Sequence, residues 1–157
     1  MLRRDDGAGV ALAGRVARGA GPGVKLIETQ QLLPELAEEL AAPGVAAAIF
    51  CDARLADATD GEPVRLSRIS PVCAGSSLGH HLAPEELLAL ADGLYGAAPP
   101  AWLVTVAGHD FGHGEGFSTE VRHALATAEQ MVGVLIAAES GVERPIPPAP
   151  PAAAPRA

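Results

Sequence analysis

The chain has 157 residues and a mass of 15.9 kDa, which fits one domain and is too little for two. Its 19 acidic and 11 basic residues give a formal charge of −8, which argues against nucleic acids and anionic membranes as partners because both need clustered Lys and Arg. Two cysteines are too few for a disulfide framework, and the sequence has neither an apolar run of about 18 residues nor a signal peptide, so we expect a cytoplasmic domain.

The first half of the chain alternates between helix and strand patterns. Residues 8–18 have the composition and spacing of a helix, and residues 24–28 (VKLIE) predict a short strand. Leucines at helical spacing then predict a second helix over residues 32–42. The continuous apolar run over residues 45–51 is typical of a strand that is covered on both faces, as in a parallel sheet.

The second half continues the same alternation. Residues 63–69 alternate between apolar and polar positions and predict an edge strand, and residues 84–95 open with Pro and two acids, as helices do. Residues 101–107 predict another buried strand. Ser118 is placed to cap a long helix that extends to about Glu139.

This order of elements predicts an α/β fold, a three-layer αβα sandwich around a mostly parallel sheet. With one Trp, one Tyr and three Phe, its core must consist mainly of aliphatic residues. The domain should span residues 1–140, because residues 141–157 contain six prolines and five alanines and predict a disordered tail. The opening strand that normally precedes the first helix of such a sheet is missing from the sequence.

Candidate functional residues lie where open α/β sheets place their sites, at the carboxyl ends of strands and in the loops that follow. Four polar or glycine-rich clusters fall there: Asp5 and Asp6, Asp52, His80 and His81, and residues 108–116. Two carboxylates and one imidazole from separate loops are a suitable ligand set for nickel, zinc or iron, and three protein ligands leave a coordination position open.

Each of these residues also has an ordinary structural interpretation. An acid directly before a helix commonly caps it, so Asp5 or Asp6 could cap the first helix. Asp52 could be a turn residue, a cap or an ion-pair partner, and paired loop histidines are often simply solvated. Cys51 fits a small core residue, and Cys73 has no activating base nearby in the sequence.

Four stretches in this order resemble the hydrogenase maturation protease family: residues 2–9, 49–53, 80–88 and 111–118. The resemblance implies an αβα fold and an endopeptidase, classed as aspartic-type, that trims the large subunit of nickel–iron hydrogenases. By motif, the residues with which the family recognises the metal correspond to Asp6, Asp52 and His80 of this sequence. Asp5 and His81, each one position away, are the alternatives. Asp6 and Asp52 are also the candidate catalytic residues, since either could activate water as a general base; alternatively, the metal could polarise the carbonyl.

The resemblance also implies a partner and a metal. The substrate is the nickel-loaded precursor of the large subunit, from which a C-terminal peptide is removed, and the nickel belongs to the substrate rather than to the protease. We expect the protease to be a monomer. The family normally begins with an apolar strand, so we expect the true start to lie upstream of Met1; the alternative is a truncated, non-catalytic relative that acts as a precursor- or metal-binding chaperone.

Overall fold

The computed structural model describes residues 4–56, 61–73 and 82–139. A short 3-10 turn over Arg4–Gly7 leads directly into the first helix. Four helices and three strands follow in the described residues: α1 (Ala8–Ala20), α2 (Leu36–Leu40), β1 (Ala48–Leu55), β2 (Val64–Ile69), α3 (Pro84–Tyr95), β3 (Ala101–Gly108) and α4 (Thr119–Glu139). None of the helices in these ranges is long and apolar enough to cross a membrane.

The three strands form one sheet in the order β1-β3-β2. β3 lies in the centre, parallel to β1 and antiparallel to β2. In this register Asp52 of β1 lies opposite Thr105 of β3, and Val64 of β2 lies opposite Val106. β3 is almost entirely buried, as its continuous apolar sequence predicts for a strand with neighbours on both edges and helices on both faces.

Helices cover both faces of this sheet. On one face α1 and α4 pack together, and β1 contributes Ile49, Cys51 and Ala53 to their core. On the other face α2 and α3 form a smaller core with Phe50. The alternation of Ile49, Phe50 and Cys51 between the two cores follows from the two-residue period of a strand. The three-layer αβα architecture is therefore confirmed.

Five predicted elements are confirmed within two residues: the helices predicted at 8–18, 84–95 and 118–139 and the strands at 63–69 and 101–107. Ser118 caps α4 as predicted, since its hydroxyl accepts the N–H of Val121 at 3.3 Å. The main apolar stripe of α4 is buried against α1 and the sheet.

The strand predicted at residues 24–28 is wrong. This segment has no regular structure, and its Leu26 and Ile27 side chains are 40% and 43% exposed. A strand is stabilised by pairing with a neighbour, and no strand among the described residues lies beside this segment.

Two further boundaries differ from the sequence prediction. The helix expected over residues 32–42 is only the five-residue α2, because the residue before Pro34 is biased away from helical geometry. β1 begins at Ala48 rather than residue 45 and continues through Asp52 to Leu55. Its bounds follow those of β3, which pairs with it along its whole length, so Asp52 lies within the strand rather than at its end.

Candidate functional site

Asp5 anchors the turn before α1 to the loop that follows β3. Its side chain is fully buried, and its carboxylate accepts hydrogen bonds from the backbone N–H groups of His109 (2.9 Å), Asp110 (2.8 Å) and Ser118 (2.8 Å). The hydroxyl of Ser118 donates a fourth hydrogen bond at 2.8 Å. The prediction that Asp5 or Asp6 caps α1 is therefore wrong: the N-cap is Gly7, and no side chain caps this helix.

These hydrogen bonds keep Asp5 ionised. Burial alone raises the pKa of a carboxyl group, but the donors from Ser118, Asp110 and His109 outweigh it and lower the pKa of Asp5 below its ordinary value. A buried charge with four donors is well compensated, so it holds the turn and the loop in one arrangement. Sequence reasoning did not anticipate this link, because the two partners Asp5 and Ser118 are 113 positions apart.

Arg4 forms a second link between the same turn and the same loop. Its guanidinium pairs with the carboxylate of Asp110, and its backbone N–H donates to the carbonyl of Gly114 at 3.4 Å. Arg4 has a φ of 28°, a left-handed conformation that is rare for a residue with a side chain and that persists only where its surroundings enforce it. Asp110 is fixed by the N–H of Gly112 at 2.9 Å; this donor and Arg4 lower its pKa.

The start of α1 lies directly on the backbone of β1. A β carbon at Gly9 would come within 2.6 Å of both the Cα of Asp52 and the carbonyl oxygen of Cys51. No real side chain tolerates such a distance to backbone atoms, so only glycine permits this approach of helix to strand. This contact holds the turn that carries Asp6 against the part of β1 that carries Asp52.

Asp6 and Asp52 thereby lie near enough for the charge of Asp6 to act on the Asp52 carboxylate. Both residues are exposed, in contrast to Asp5, and the Asp52 carboxylate accepts the N–H of Ala53 at 2.8 Å. Partial burial raises the pKa of Asp52, and the negative charge of Asp6 raises it further. Of the two acids before α1, Asp5 is therefore taken up by structural hydrogen bonds, and Asp6 is the one whose charge interacts with Asp52.

The predicted imidazole ligand cannot be placed, because His80 and His81 lie outside the described residues. Within residues 4–56, 61–73 and 82–139, no group of three His, Cys, Asp or Glu side chains is arranged to hold a metal ion. Cys51 packs against the α1–α4 core. Its burial, and to a lesser extent the negative charge of Asp52, raise the pKa of its thiol to about 11. The thiol is therefore protonated and unreactive at neutral pH.

The chemistry available at this site is that of two neighbouring, solvent-accessible carboxylates at one edge of the sheet. The charge of Asp6 disfavours the ionisation of Asp52, which makes the Asp52 carboxylate a better proton acceptor than an ordinary aspartate. The same oxygens are suitable ligands for a divalent metal brought by a partner. The site lies between the turn before α1 and the carboxyl-terminal half of β1, close to the end of the strand beyond which ligands bind in sheets of this kind.

Two solved structures of hydrogenase maturation peptidases have a fold similar to this one. The crystal structure of a NiFe hydrogenase maturation protease, HycI from Thermococcus kodakarensis KOD1, matches with a TM-score of 0.58 and 20% identity, over 86% of this chain and 85% of that chain. That of a hydrogenase 2 maturation peptidase from Thaumarchaeota archaeon SCGC_AB-539-E09 matches with a TM-score of 0.53 and 19% identity, over 90% of this chain and 93% of that chain.

These two likenesses establish the fold. The architecture implied by the sequence resemblance is therefore confirmed over most of the chain. No protein-family model and no curated protein sequence matches the chain.

Proposed function

We propose that this protein is an endopeptidase that removes a C-terminal peptide from the nickel-loaded precursor of a nickel–iron hydrogenase large subunit. The observation that carries the proposal is the juxtaposition of Asp6 and Asp52, two exposed carboxylates from separate elements, on a fold shared with solved maturation peptidases. Two acids with purely structural roles would gain nothing from a position where the charge of Asp6 disfavours that of Asp52.

The nickel in this proposal belongs to the substrate. Asp6 and Asp52 supply carboxylate oxygens and His80 supplies an imidazole nitrogen, with His81 as the alternative, and this mixed set suits a borderline divalent metal such as nickel. These side chains can bind nickel only when the precursor carries the metal. Recognition is then a matter of coordination as well as of peptide contacts, and an unloaded precursor is rejected.

Hydrolysis needs a group that takes a proton from the attacking water. Asp52 is the first candidate of the two carboxylates, because burial and the charge of Asp6 raise its pKa while it is not bound to the nickel. Asp6 tunes Asp52 through its charge and is the second candidate. The aspartic type of mechanism rests on these two residues.

Cleavage of the precursor tests the proposal directly. Purified protein is incubated with nickel-loaded and with metal-free precursor, and the precursor mass is measured. We expect the nickel-loaded precursor alone to lose a C-terminal peptide, and we expect Asp6→Asn, Asp52→Asn and His80→Ala to abolish the loss. Asp92→Asn, which changes an exposed carboxylate on α3, is the matched control and should cleave normally.

An unchanged precursor mass despite demonstrated binding would contradict the peptidase proposal. Nickel-dependent binding without cleavage is the result that the non-catalytic chaperone alternative predicts. Binding and mass are therefore measured on the same samples, so that a failure to dock is not mistaken for a failure to cut.

A further inference from the structure

The two faces of β3 differ in how completely the helices cover them. Val104 and Val106 belong to the α1–α4 core and are fully buried, whereas Leu103 and Thr105 are only partly buried. Successive residues of a strand point to opposite faces, so Leu103 and Thr105 lie on the face that α2 and α3 cover. The central strand of the sheet is therefore partly accessible on this face.

A row of three polar side chains crosses the same face of the sheet. Asp52 of β1 lies opposite Thr105 of β3, and Thr105 in turn lies opposite Arg65 of β2. Paired residues of neighbouring strands have their side chains on one face, and the strands are about 4.8 Å apart. Thr105 is therefore the direct neighbour of Asp52 on the partly accessible face.

Thr105 is the only hydroxyl-bearing residue of β3, whose sequence is AWLVTVAG. On the same face it is preceded by Leu103, which lies opposite Phe50, and Phe50 packs in the smaller core with α2 and α3. The polar row thus lies where the apolar packing of these helices ends. A β-branched residue suits any strand, and valine would fit at this position as well, so the backbone alone does not account for the hydroxyl.

The hydroxyl of Thr105 is available to a ligand, whereas the other two polar groups of the row already have partners. Asp52 accepts the N–H of Ala53 at 2.8 Å, and Arg65 forms an ion pair with Glu62 at 3.8 Å. Among the residues that the structure describes, none is hydrogen-bonded to the Thr105 hydroxyl, which is not sealed from solvent either. In particular, Thr105 does not donate to Asp52.

We propose that Thr105 is a substrate-binding residue, and that its hydroxyl forms a hydrogen bond with a backbone peptide group of the precursor segment that is cleaved beside Asp52. This inference rests on the proposed peptidase function and adds to it the kind of group that β3 contacts. A hydroxyl both donates and accepts, so it can pair with the N–H or with the carbonyl of a peptide group. The nickel takes the carboxylate and imidazole groups instead.

The position of Thr105 suits a contact that orients a substrate. β3 is hydrogen-bonded to a strand on each side, and α1 and α4 pack against its other face, so the backbone at Thr105 is held firmly. The β-branched side chain has few rotamers, and little conformational entropy is lost when its hydroxyl binds a partner. A peptide bound to this hydroxyl is thereby fixed beside the Asp52 carboxylate.

Binding and cleavage of the nickel-loaded precursor by Thr105→Val test the inference. Valine keeps the branched shape and suits a strand, so the variant should fold normally and lack only the hydroxyl. We expect the Kd and the KM for the precursor to rise about 10-fold, as for the loss of one hydrogen bond, with kcat little changed. Thr105→Ser, which retains the hydroxyl, should bind within about threefold of the parent protein.

Ser67→Ala is the matched control, because it removes a hydroxyl from the same face of the sheet one row away from Asp52, where Ser67 lies opposite Leu103. This variant should keep the Kd and the KM of the parent. An unchanged Kd and KM in Thr105→Val would overturn the inference. A fall in kcat alone would also overturn it, because the hydroxyl would then act through Asp52 rather than on the substrate.

The binding measurement separates this inference from the proposed function. If the parent protein binds the precursor without cleaving it, the peptidase proposal fails, and a higher Kd in Thr105→Val still supports the contact. If the parent cleaves the precursor and Thr105→Val has the same Kd and KM, only the contact is overturned. A parent protein that does not bind the precursor would overturn both.

Discussion

Ser118 donates both its backbone N–H and its hydroxyl to the carboxylate of Asp5, and the same hydroxyl accepts the N–H of Val121 in the first turn of α4. The buried Asp5 and the partly buried Ser118 thus connect the turn before α1 with the start of the last helix. Because Asp6 directly follows Asp5, this connection also holds in place the residue whose charge acts on Asp52. The buried Asp5 thus stabilises the turn, and the exposed Asp6 remains accessible to a substrate.

We expect Asp5→Ala to lower the free energy of unfolding by about 3 kcal/mol, because it leaves three partly buried N–H groups and a hydroxyl without their acceptor. Urea denaturation at pH 7 measures the change. Asp6→Ala, one residue away and exposed, should stay within about 0.5 kcal/mol of the parent. Similar losses for the two variants would contradict the division of roles between these aspartates.

The loss of stability at acid pH should depend on the ionisation of Asp5. Its pKa is lower in the folded protein than the ordinary value of 3.8, so the folded state binds fewer protons than the unfolded state in that range. The stability that ionised Asp5 contributes is fully present above pH 3.8. It is lost as the pH falls through the lower pKa that Asp5 has in the folded protein. Comparison of urea midpoints between pH 7 and pH 2 for the parent and Asp5→Asn should show a shallower acid loss in the variant.

Asp110 also has a lowered pKa, so its own variant is the matched control for this measurement. Asp110→Asn should retain most of the acid dependence, because its carboxylate is exposed and screened by solvent. An equally shallow profile in Asp110→Asn would assign the acid transition to the Arg4–Asp110 pair instead.

The coupling between Asp6 and Asp52 can be measured by titration. Removal of the negative charge in Asp6→Asn should lower the pKa of Asp52, although burial should still keep it above the ordinary value. Carboxyl chemical shifts followed by NMR against pH report this directly, with Asp92→Asn as the control. An unchanged Asp52 titration would show that the two carboxylates do not interact in solution.

Substitution of Asp52 should change the stability at neutral pH in the opposite direction from substitution of Asp5. A carboxyl group with a raised pKa binds its proton more tightly in the folded state, so its ionisation at neutral pH opposes folding. Asp52→Asn should therefore keep or raise the melting temperature at pH 7 while it abolishes processing. A large fall in melting temperature would assign Asp52 a structural role.

The sequence predicted most elements because their signals are local. Residues 84–95 combine Pro, two acids and helical spacing, and the helix forms over those same residues. Residues 24–28 have an equally clear strand pattern, but a strand depends on a partner that pattern alone does not supply. The bounds of β1 failed for the same reason, since pairing with β3 determines them.

The candidate site divides in a similar way. Motif order marked Asp6 and Asp52, and in the folded protein the charge of Asp6 acts on the Asp52 carboxylate; their role as site residues stays a prediction. The roles of Asp5 and Ser118 depend on a contact across 113 positions and on burial, neither of which leaves a local pattern. The place of His80 remains a prediction, because it lies outside the described residues.

Gly9 provides the most direct test of how α1 and β1 position the site. Gly9→Ala places a β carbon 2.6 Å from the Cα of Asp52, so α1 must move away from β1 and carry Asp6 with it. We expect a loss of about 1–3 kcal/mol in the free energy of unfolding, the usual cost of overpacking, together with a marked loss of precursor cleavage.

Gly19→Ala is the matched control, because Gly19 belongs to the same helix and nothing lies within 4 Å of the β carbon that it would gain. This change should stabilise the protein by about 0.5–1 kcal/mol, since alanine restricts the unfolded chain and favours helix, and cleavage should be unaffected. If Gly9→Ala were as stable as Gly19→Ala, the close approach of helix and strand would not exist in solution. If it were destabilised but cleaved normally, the position of Asp6 against Asp52 would not matter for the reaction.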